Sequence, residues 1–413
     1  MQITHKRDKF HLSYCTNVHP GESWEDIFNN LNAYLPQIKS QVCPDDKFGI
    51  GLRLPQRGLC DLVNDIEQVE KFKLWLEQNG LYVFTINAFP MGDFHGARVK
   101  EQVYLPDWLQ DERLTYTNLV ADVLSTIMPS TIDFATISTV PGGSKSRIKT
   151  LGERKRIAEQ IALAALHLFK IKNKSDREIL LLLEPEPCCF LETIDETISF
   201  FESILWSDEN ISFLSQESRL PKAECKELIQ AHIGVCYDTC HAAVEYEDGK
   251  DSLLRLSEAN IRIGKLQISS GLKIQSLDEV NLNWLRKFPN DIYLHQVVFK
   301  NRSFIKRFLD LPNFFKFLDS SESTQFDLSE AQCRIHYHVP IYADSVNNVS
   351  TTVDFLREVL GVAVRERLTQ HLEVETYTFN ILPVGSTNLS LTDHIVSELN
   401  WVKNEVINCG NVN

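Results

Sequence analysis

Eight times along this chain a short apolar run ends in polar or ionisable residues, and stretches of helical character separate the runs. The runs are Phe10–His19, Lys47–Pro55, Leu81–Pro90, Thr131–Gly143, Glu178–Pro187, Ile233–His241, Ile261–Gly271 and His371–Phe379. Between them, Trp24–Ile38 is amphipathic, Val63–Gln78 is helical in pattern, and Arg154–Lys170 repeats apolar residues at Ile157, Ile161, Ala165 and Leu168. Continuously apolar strands alternating with helices require a parallel sheet covered on both faces. Eight such units predict an α/β protein built as a (β/α)8 TIM barrel in preference to an open doubly wound sheet. No Gly-x-Gly-x-x-Gly follows the first run and no phosphate-loop motif occurs, which removes the main reasons to expect a nucleotide fold.

No Gly/Ser/Pro linker divides the 413 residues, so one barrel domain over 1–413 is expected. The stretch from Leu272 to Gln332 exceeds what a helical crossover needs. With its own run Ile292–Val298 and the aromatic cluster Phe304–Phe317, it reads as an elaborated insertion, about 272–332, after the seventh strand. A further run, Cys333–Tyr342, precedes the last strand. Apolar residues at Ile395, Leu399, Val402 and Val406 mark a closing helix over about 392–407.

A formal net charge of −14 argues against a nucleic-acid partner, since phosphate binding needs concentrated Lys and Arg. The one short basic cluster, Arg154-Lys-Arg156, reads as a helix start. No apolar run is long enough to span a membrane and no secretory h-region opens the chain, so stable membrane insertion is not expected and a cytoplasmic location is. The ten cysteines lie mostly in apolar runs and not at framework spacings, as expected of reduced thiols.

The chemistry is expected where the runs stop, because barrel active sites form at the carboxyl ends of the strands. The fifth run stops at Glu184-Pro-Glu186-Pro and the sixth at Asp238-Thr-Cys-His241; the seventh reaches Gln267. His336 and His338 are two apart, as are Glu373 and Glu375, so each pair shares a strand face. Carboxylates and imidazoles converging on one mouth make a nitrogen and oxygen ligand set for a divalent metal such as zinc, manganese or iron. Each has a plainer reading: Asp238 as a helix cap, Glu186 as structural, Glu375 as an ion-pair partner, His336 and His338 as core histidines. Glu373 is the alternative ligand to Glu375, one layer deeper. His11, Asn17, Asn87, His95, Gln267 and His295 are candidate substrate-facing groups.

Asp238-Thr-Cys-His241-Ala resembles the Asp-Thr-x-His motif of the xylose isomerase-like barrel superfamily. Glu184 in Leu-Glu-Pro and Glu375 in Glu-Thr resemble its fifth- and eighth-strand glutamates. The resemblance implies a metal held by Glu184, Asp238, Glu375 and a seventh-strand histidine. This chain has Gln267 at that last position, so the missing imidazole would have to come from His295, His336 or His338.

Over nearly its whole length the chain also resembles the metabolite traffic protein EboE family. The phrases that carry this are His11-Leu-Ser-Tyr-Cys-Thr-Asn-Val-His19, Thr85-Ile-Asn-Ala-Phe-Pro, Val99-Lys-Glu-Gln-Val-Tyr-Leu-Pro-Asp-Trp108, His336-Tyr-His-Val-Pro-Ile and Leu372-Glu-Val-Glu-Thr-Tyr-Thr. That resemblance implies a bacterial operon concerned with moving a secondary metabolite or its precursor, with a small-molecule ligand and other products of the operon as partners.

Taken together, these features lead us to expect a metal-dependent isomerase or epimerase acting on a small polar metabolite. Glu184 and Glu375 would serve both as ligands and as the proton acceptor and donor, with Asp238, His241, His336 and His338 completing the metal set. Two alternatives stand beside it. One is a carrier that has kept the barrel and lost turnover, favoured by Gln267. The other is an endonuclease-like phosphodiesterase, disfavoured by the charge.

Overall fold

The expected parallel sheet forms and closes. The computed structural model describes residues 1–92, 100–287, 294–346, 349–379 and 389–409. Strands β1 (Gln2–His5) and β2 (Asp8–Tyr14) open the chain as an antiparallel hairpin. The barrel continues through β3 (Phe48–Arg53), β4 (Leu81–Asn87), β5 (Ala135–Thr139), β6 (Ile179–Leu183), β7 (Ile233–Asp238) and β8 (Ile263–Ile268). An insertion then contributes β9 (Leu272–Ile274), β10 (Val297–Asn301), β11 (Phe304–Phe308), β12 (Gln332–Ile335), β13 (Ser345–Val346) and β14 (Val349–Thr351). Strand β15 (His371–Val374) completes the barrel.

Parallel pairing runs β2-β15-β8-β7-β6-β5-β4-β3, and a bridge between Cys15 and Gly51 joins the two ends. Every position from β3 through β8 is buried, which is why these strands read as unbroken apolar runs. Helices cover the outside. Leu151–Ser175 starts with a reciprocal box in which Thr150 and Glu153 satisfy each other's backbone N–H groups. The closing helix spans Leu391–Asn408 and buries the expected stripe of Ile395, Leu399, Val402 and Val406.

The insertion is larger than the expected 272–332. It runs through β14, because the run beginning at Cys333 does not join the barrel. Its strand β12 pairs antiparallel with β9 and β10. The six-stranded sheet, ordered β11-β10-β12-β9-β14-β13, has a core of its own that includes Phe299, Phe314, Phe317 and Ile335. Of the run Ile292–Val298, Ile292 and Tyr293 lie outside the described residues, and among the rest Val297 and Val298 are strand. Arg307 on β11 docks the insertion to the barrel, its Nε lying 2.7 Å from Glu245 Oε2 and 3.3 Å from Glu192 Oε2.

The barrel interior is not wholly apolar. Lys265 on β8 and Glu373 on β15 form a fully buried ion pair, Nζ to Oε2 2.5 Å, and Lys265 also donates to Ser138 Oγ at 3.0 Å. Gly51 makes the room: a Cβ there would stand 1.7 Å from Glu373 Oε1. Glu373 is therefore the partner of Lys265, and Glu375, two residues on, is the carboxylate at the mouth.

Candidate metal centre

Glu184 follows β6, Asp238 ends β7 and Glu375 follows β15, so three carboxylates meet at the carboxyl end of the barrel. One oxygen from each lies within 4.8 Å of the others. Asp238 splits its two oxygens between two tasks. Its Oδ1 caps the helix Thr239–Val244, accepting from the N–H groups of Cys240 at 2.7 Å and His241 at 3.0 Å and from the Ser269 hydroxyl at 2.6 Å. Its Oδ2 is buried, has no hydrogen-bond partner among the described residues, and lies 3.8 Å from His241 Nε2 and 4.0 Å from His338 Nε2. The helix-cap reading and the ligand reading thus apply to different atoms of one side chain.

Glu375 accepts at Oε1 from Asn17 Nδ2 at 2.6 Å and Asn87 Nδ2 at 3.1 Å, which fixes that oxygen. Glu184 Oε2 is buried with no hydrogen-bond partner among the described residues. Burial, reinforced by the Glu375 carboxylate, holds the Glu184 carboxyl well above the usual carboxylate range. Burial raises Glu375 as well. At Asp238 burial works upward too, but the adjoining His241 and His338 rings and the bonds to Oδ1 hold it below its ordinary value.

The three imidazoles determine what the centre can hold. His241 Nε2 is 3.0 Å from His336 Nε2, which is 3.1 Å from His338 Nε2. Each ring's Nδ1 faces an oxygen acceptor: Pro185 O at 2.9 Å, Gln296 Oε1 at 2.8 Å and Glu375 O at 2.7 Å, for His241, His336 and His338 respectively. The Gln296 amide is oriented by its Nε2, which donates to Glu186 Oε1 at 3.0 Å and to Tyr104 Oη at 2.8 Å. A carbonyl cannot donate, so Nδ1 carries the proton in each ring and Nε2 presents a lone pair. Three lone pairs facing one another repel unless a cation lies between them. Burial and the neighbouring rings push His336 well below the ordinary histidine value, and burial lowers His241, which works against a proton between these two rings.

A divalent metal fits this donor set. Two nitrogens bound to one zinc at ~2.0–2.1 Å in tetrahedral geometry lie about 3.4 Å apart, close to the separations seen. Committing the far ring nitrogen to a fixed acceptor is also how metal-binding histidines are oriented. His241, His336 and His338, with Asp238 Oδ2, would hold one ion, and Glu184 and Glu375 offer oxygens on the same side.

Among solved structures the chain is similar to a xylose isomerase-like TIM barrel protein from Mycobacterium smegmatis in complex with magnesium. The TM-score is 0.51, with 10% identity over 97% of each chain. This chain folds as a xylose isomerase-like TIM barrel. Weaker likenesses extend to a D-tagatose 3-epimerase-like protein (TM-score 0.48, 10% identity, 97% of this chain and 100% of that one) and to the probable 3-DHS dehydratase AsbF involved in petrobactin synthesis from Bacillus anthracis (0.42, 14%, 94% and 97%). No family model matches, and no curated protein matches in sequence. Likeness at such identities is one of fold, so the chemistry of this xylose isomerase-like barrel has to be argued from its own residues.

A cleft of about 590 Å³ opens onto the centre, and Asn17, Asn87, Glu184, Glu186, His241, His336, His338 and Glu375 face it. The structure thus brings together Glu184, Asp238, His241, His336, His338 and Glu375, with Asn17 and Asn87 behind Glu375. His336 and His338 arrive differently from expectation. They lie just past β12 in the insertion, not on a barrel strand.

Three expected substrate-facing groups are not brought to the cleft. His11 lies at the opposite end of the barrel, paired in register with His371 at the start of β15 and hydrogen-bonded through Nδ1 to Tyr82 Oη at 2.9 Å. Gln267 is sealed inside the barrel between Asp238 and Glu373 in register, its Oε1 3.8 Å from Cys236 Sγ. His295 stacks on Tyr337 within the insertion, ring centroids 4.5 Å apart, and burial pushes it down to about 3. Its neighbour Gln296 is the residue that faces the centre, and the sequence reading missed it along with Tyr104. His95 lies outside the described residues.

Proposed function

We propose that this chain is a metal-dependent enzyme of isomerase or epimerase type, moving a proton between neighbouring carbons of a small oxygenated metabolite. One observation carries the reading: three imidazole Nε2 atoms, with their ring protons committed elsewhere, meet beside three carboxylates at the mouth of a barrel. A bound divalent ion (zinc, manganese or iron) supplies a Lewis acid that polarises a substrate oxygen and eases loss of the adjacent proton.

The chain's own residues supply the rest. Asn17 and Asn87 hold Glu375 Oε1 still, leaving its second oxygen to face the cleft. Glu184 combines an unpartnered Oε2 with a carboxyl held high by burial, so it can take up and return a proton at that atom. Glu375, also raised by burial, is its counterpart. The insertion contributes Gln296, His336 and His338 to the lining of the cleft.

The cellular setting is part of the same proposal: an EboE-type metabolite traffic pathway in the cytoplasm, with other products of the operon as partners. Its support is the sequence phrases; separately, no described helix is long and apolar enough to cross a membrane. Binding without turnover is favoured by one feature, Gln267, which brings no imidazole to the mouth. Elemental analysis and a variant separate the readings. We expect about one or more divalent ions per chain, lost in Asp238→Ala and His338→Ala, and a Glu184→Gln protein that keeps its metal and loses turnover. A wild type holding no metal after reconstitution would sink the proposal; a metal-loaded wild type without turnover on any carbonyl or polyol substrate would leave the carrier.

A further inference from the structure

The cleft has two unlike sides. The inner side is the metal centre. The outer side is made by Phe89, Pro90, Val103, Leu294 and Tyr377. Four of these, all but Pro90, are only half-buried, although most apolar side chains of the barrel strands are sealed from water. The aromatic members are held rigidly: Phe89 stacks on Tyr104 with centroids 5.9 Å apart and planes 13° apart, and Tyr377 lies against His338 at 4.8 Å. Lys100, the cation on this side, is committed to Asp310 at 2.6 Å. Among the described residues the polar groups in the cleft cluster on the metal side, where Asn17 and Asn87 donate to Glu375 and Gln296 donates to Glu186.

A free sugar carries hydroxyl groups around its whole circumference. Seated at this centre, it would press several of them against Pro90, Val103 and Leu294, which offer no partner, and each unpaired hydroxyl costs binding. A molecule with oxygens at one end and an apolar body at the other would meet both sides correctly and cover the half-buried wall. We infer that the substrate is such a molecule: a vicinal oxygen pair, as in a hydroxy-ketone or diol, directed at the metal centre, on an aromatic or branched apolar body seated against Phe89, Val103, Leu294 and Tyr377. This rests on the proposed metal chemistry for the oxygen end and on the wall alone for the apolar end.

Hydroxamates test it, because one chelating head can carry different bodies. With zinc-loaded protein, isothermal titration would compare acetohydroxamate, benzohydroxamate and gluconohydroxamate. We expect benzohydroxamate to bind about tenfold or more tighter than acetohydroxamate, which corresponds to about 1.4 kcal/mol. Gluconohydroxamate should gain nothing over acetohydroxamate. In Leu294→Ser and Val103→Ser the benzo-to-aceto ratio should fall at least threefold while zinc content stays at one or more per chain. That comparison within each protein cancels the intrinsic difference between the two chelators. Equal ratios in wild type and wall variants, or tightest binding by gluconohydroxamate, would overturn the inference and leave the metal reading standing. If the chain holds no zinc, 2-naphthol binding to the metal-free protein decides: binding lost in Leu294→Ser keeps the apolar body while the metal chemistry falls, and no binding overturns both.

Discussion

Nε2 of His241 and Nε2 of His336 stand 3.0 Å apart although the two residues are 95 positions apart in sequence, one in the helix that follows barrel strand β7 and the other just past β12 of the insertion. Neither ring can donate across that gap, because Pro185 O and Gln296 Oε1 already take the Nδ1 protons. The consequences of this arrangement can be measured.

Gln296 is the residue that sets the His336 tautomer. Gln296→Leu removes the acceptor at Nδ1 while keeping the side chain's bulk, and should weaken zinc or cobalt binding about 10–100-fold. Competition against a chromophoric chelator reads the affinity. Melting of the metal-free protein should move much less. A variant with unchanged metal affinity would show that His336 needs no such partner.

Inside the barrel, Lys265→Met leaves the Glu373 carboxylate buried without its cation. The cost should be about 3–5 kcal/mol, and Lys265→Met/Glu373→Leu should recover much of it. Denaturant titration of the two single variants and the double gives the coupling. Additive losses would mean the pair contributes little as a pair.

Glu398, on the closing helix, accepts at Oε1 from Thr376 Oγ1 at 2.7 Å and from the Ile341 N–H at 3.2 Å, and burial pushes its carboxyl up to about 8. A carboxyl raised in the folded state holds a proton that the unfolded chain has already released. Its contribution is therefore fully present below about pH 4.5 and is lost as pH rises toward 8. Glu398→Gln should remove that slope, stabilising the protein at pH 8 by on the order of 4 kcal/mol and changing it little at pH 4.5. Parallel melting curves across that range in both proteins check the sign.

Arg307 touches no residue of the centre, yet its bonds to Glu245 and Glu192 fasten β11 to the barrel. Arg307→Met should lower metal affinity severalfold and raise amide exchange in 296–308, while exchange in β3 to β8 stays as it was. Unchanged exchange in the insertion would show that its own core suffices to seat it.

The barrel was legible in the sequence because parallel strands buried on both faces leave unbroken apolar runs, and each of the eight runs contains one strand. The carboxylates were legible for a related reason: Glu184, Asp238 and Glu375 interrupt those runs at their carboxyl ends. The insertion was harder to read. Strand β12 (Gln-Cys-Arg-Ile) alternates, with Cys333 and Ile335 buried and Gln332 exposed; that short alternation separates it from the barrel strands but does not name its partner β9, some sixty residues earlier. His11 was misplaced because the run Phe10–His19 overshoots its strand, which ends at Tyr14, so a residue near the run's start sits at the closed end of the barrel. His295, the residue the sequence singles out, stacks on Tyr337 within the insertion, and its neighbour Gln296 faces the cleft, since adjacent side chains in extended backbone point to opposite faces.

Because the carboxylates come from the barrel and two of the three histidines from the insertion, neither sheet owns the centre. The barrel's acids face one another across a mouth that the insertion completes, and the insertion carries an aromatic core of its own. Only when the second body settles on the first does the nitrogen side of the pocket exist. Retention of the proposed ion would thereby be a readout of assembly, and a lesion along the seam between the two bodies would register at the centre without touching a single one of its residues.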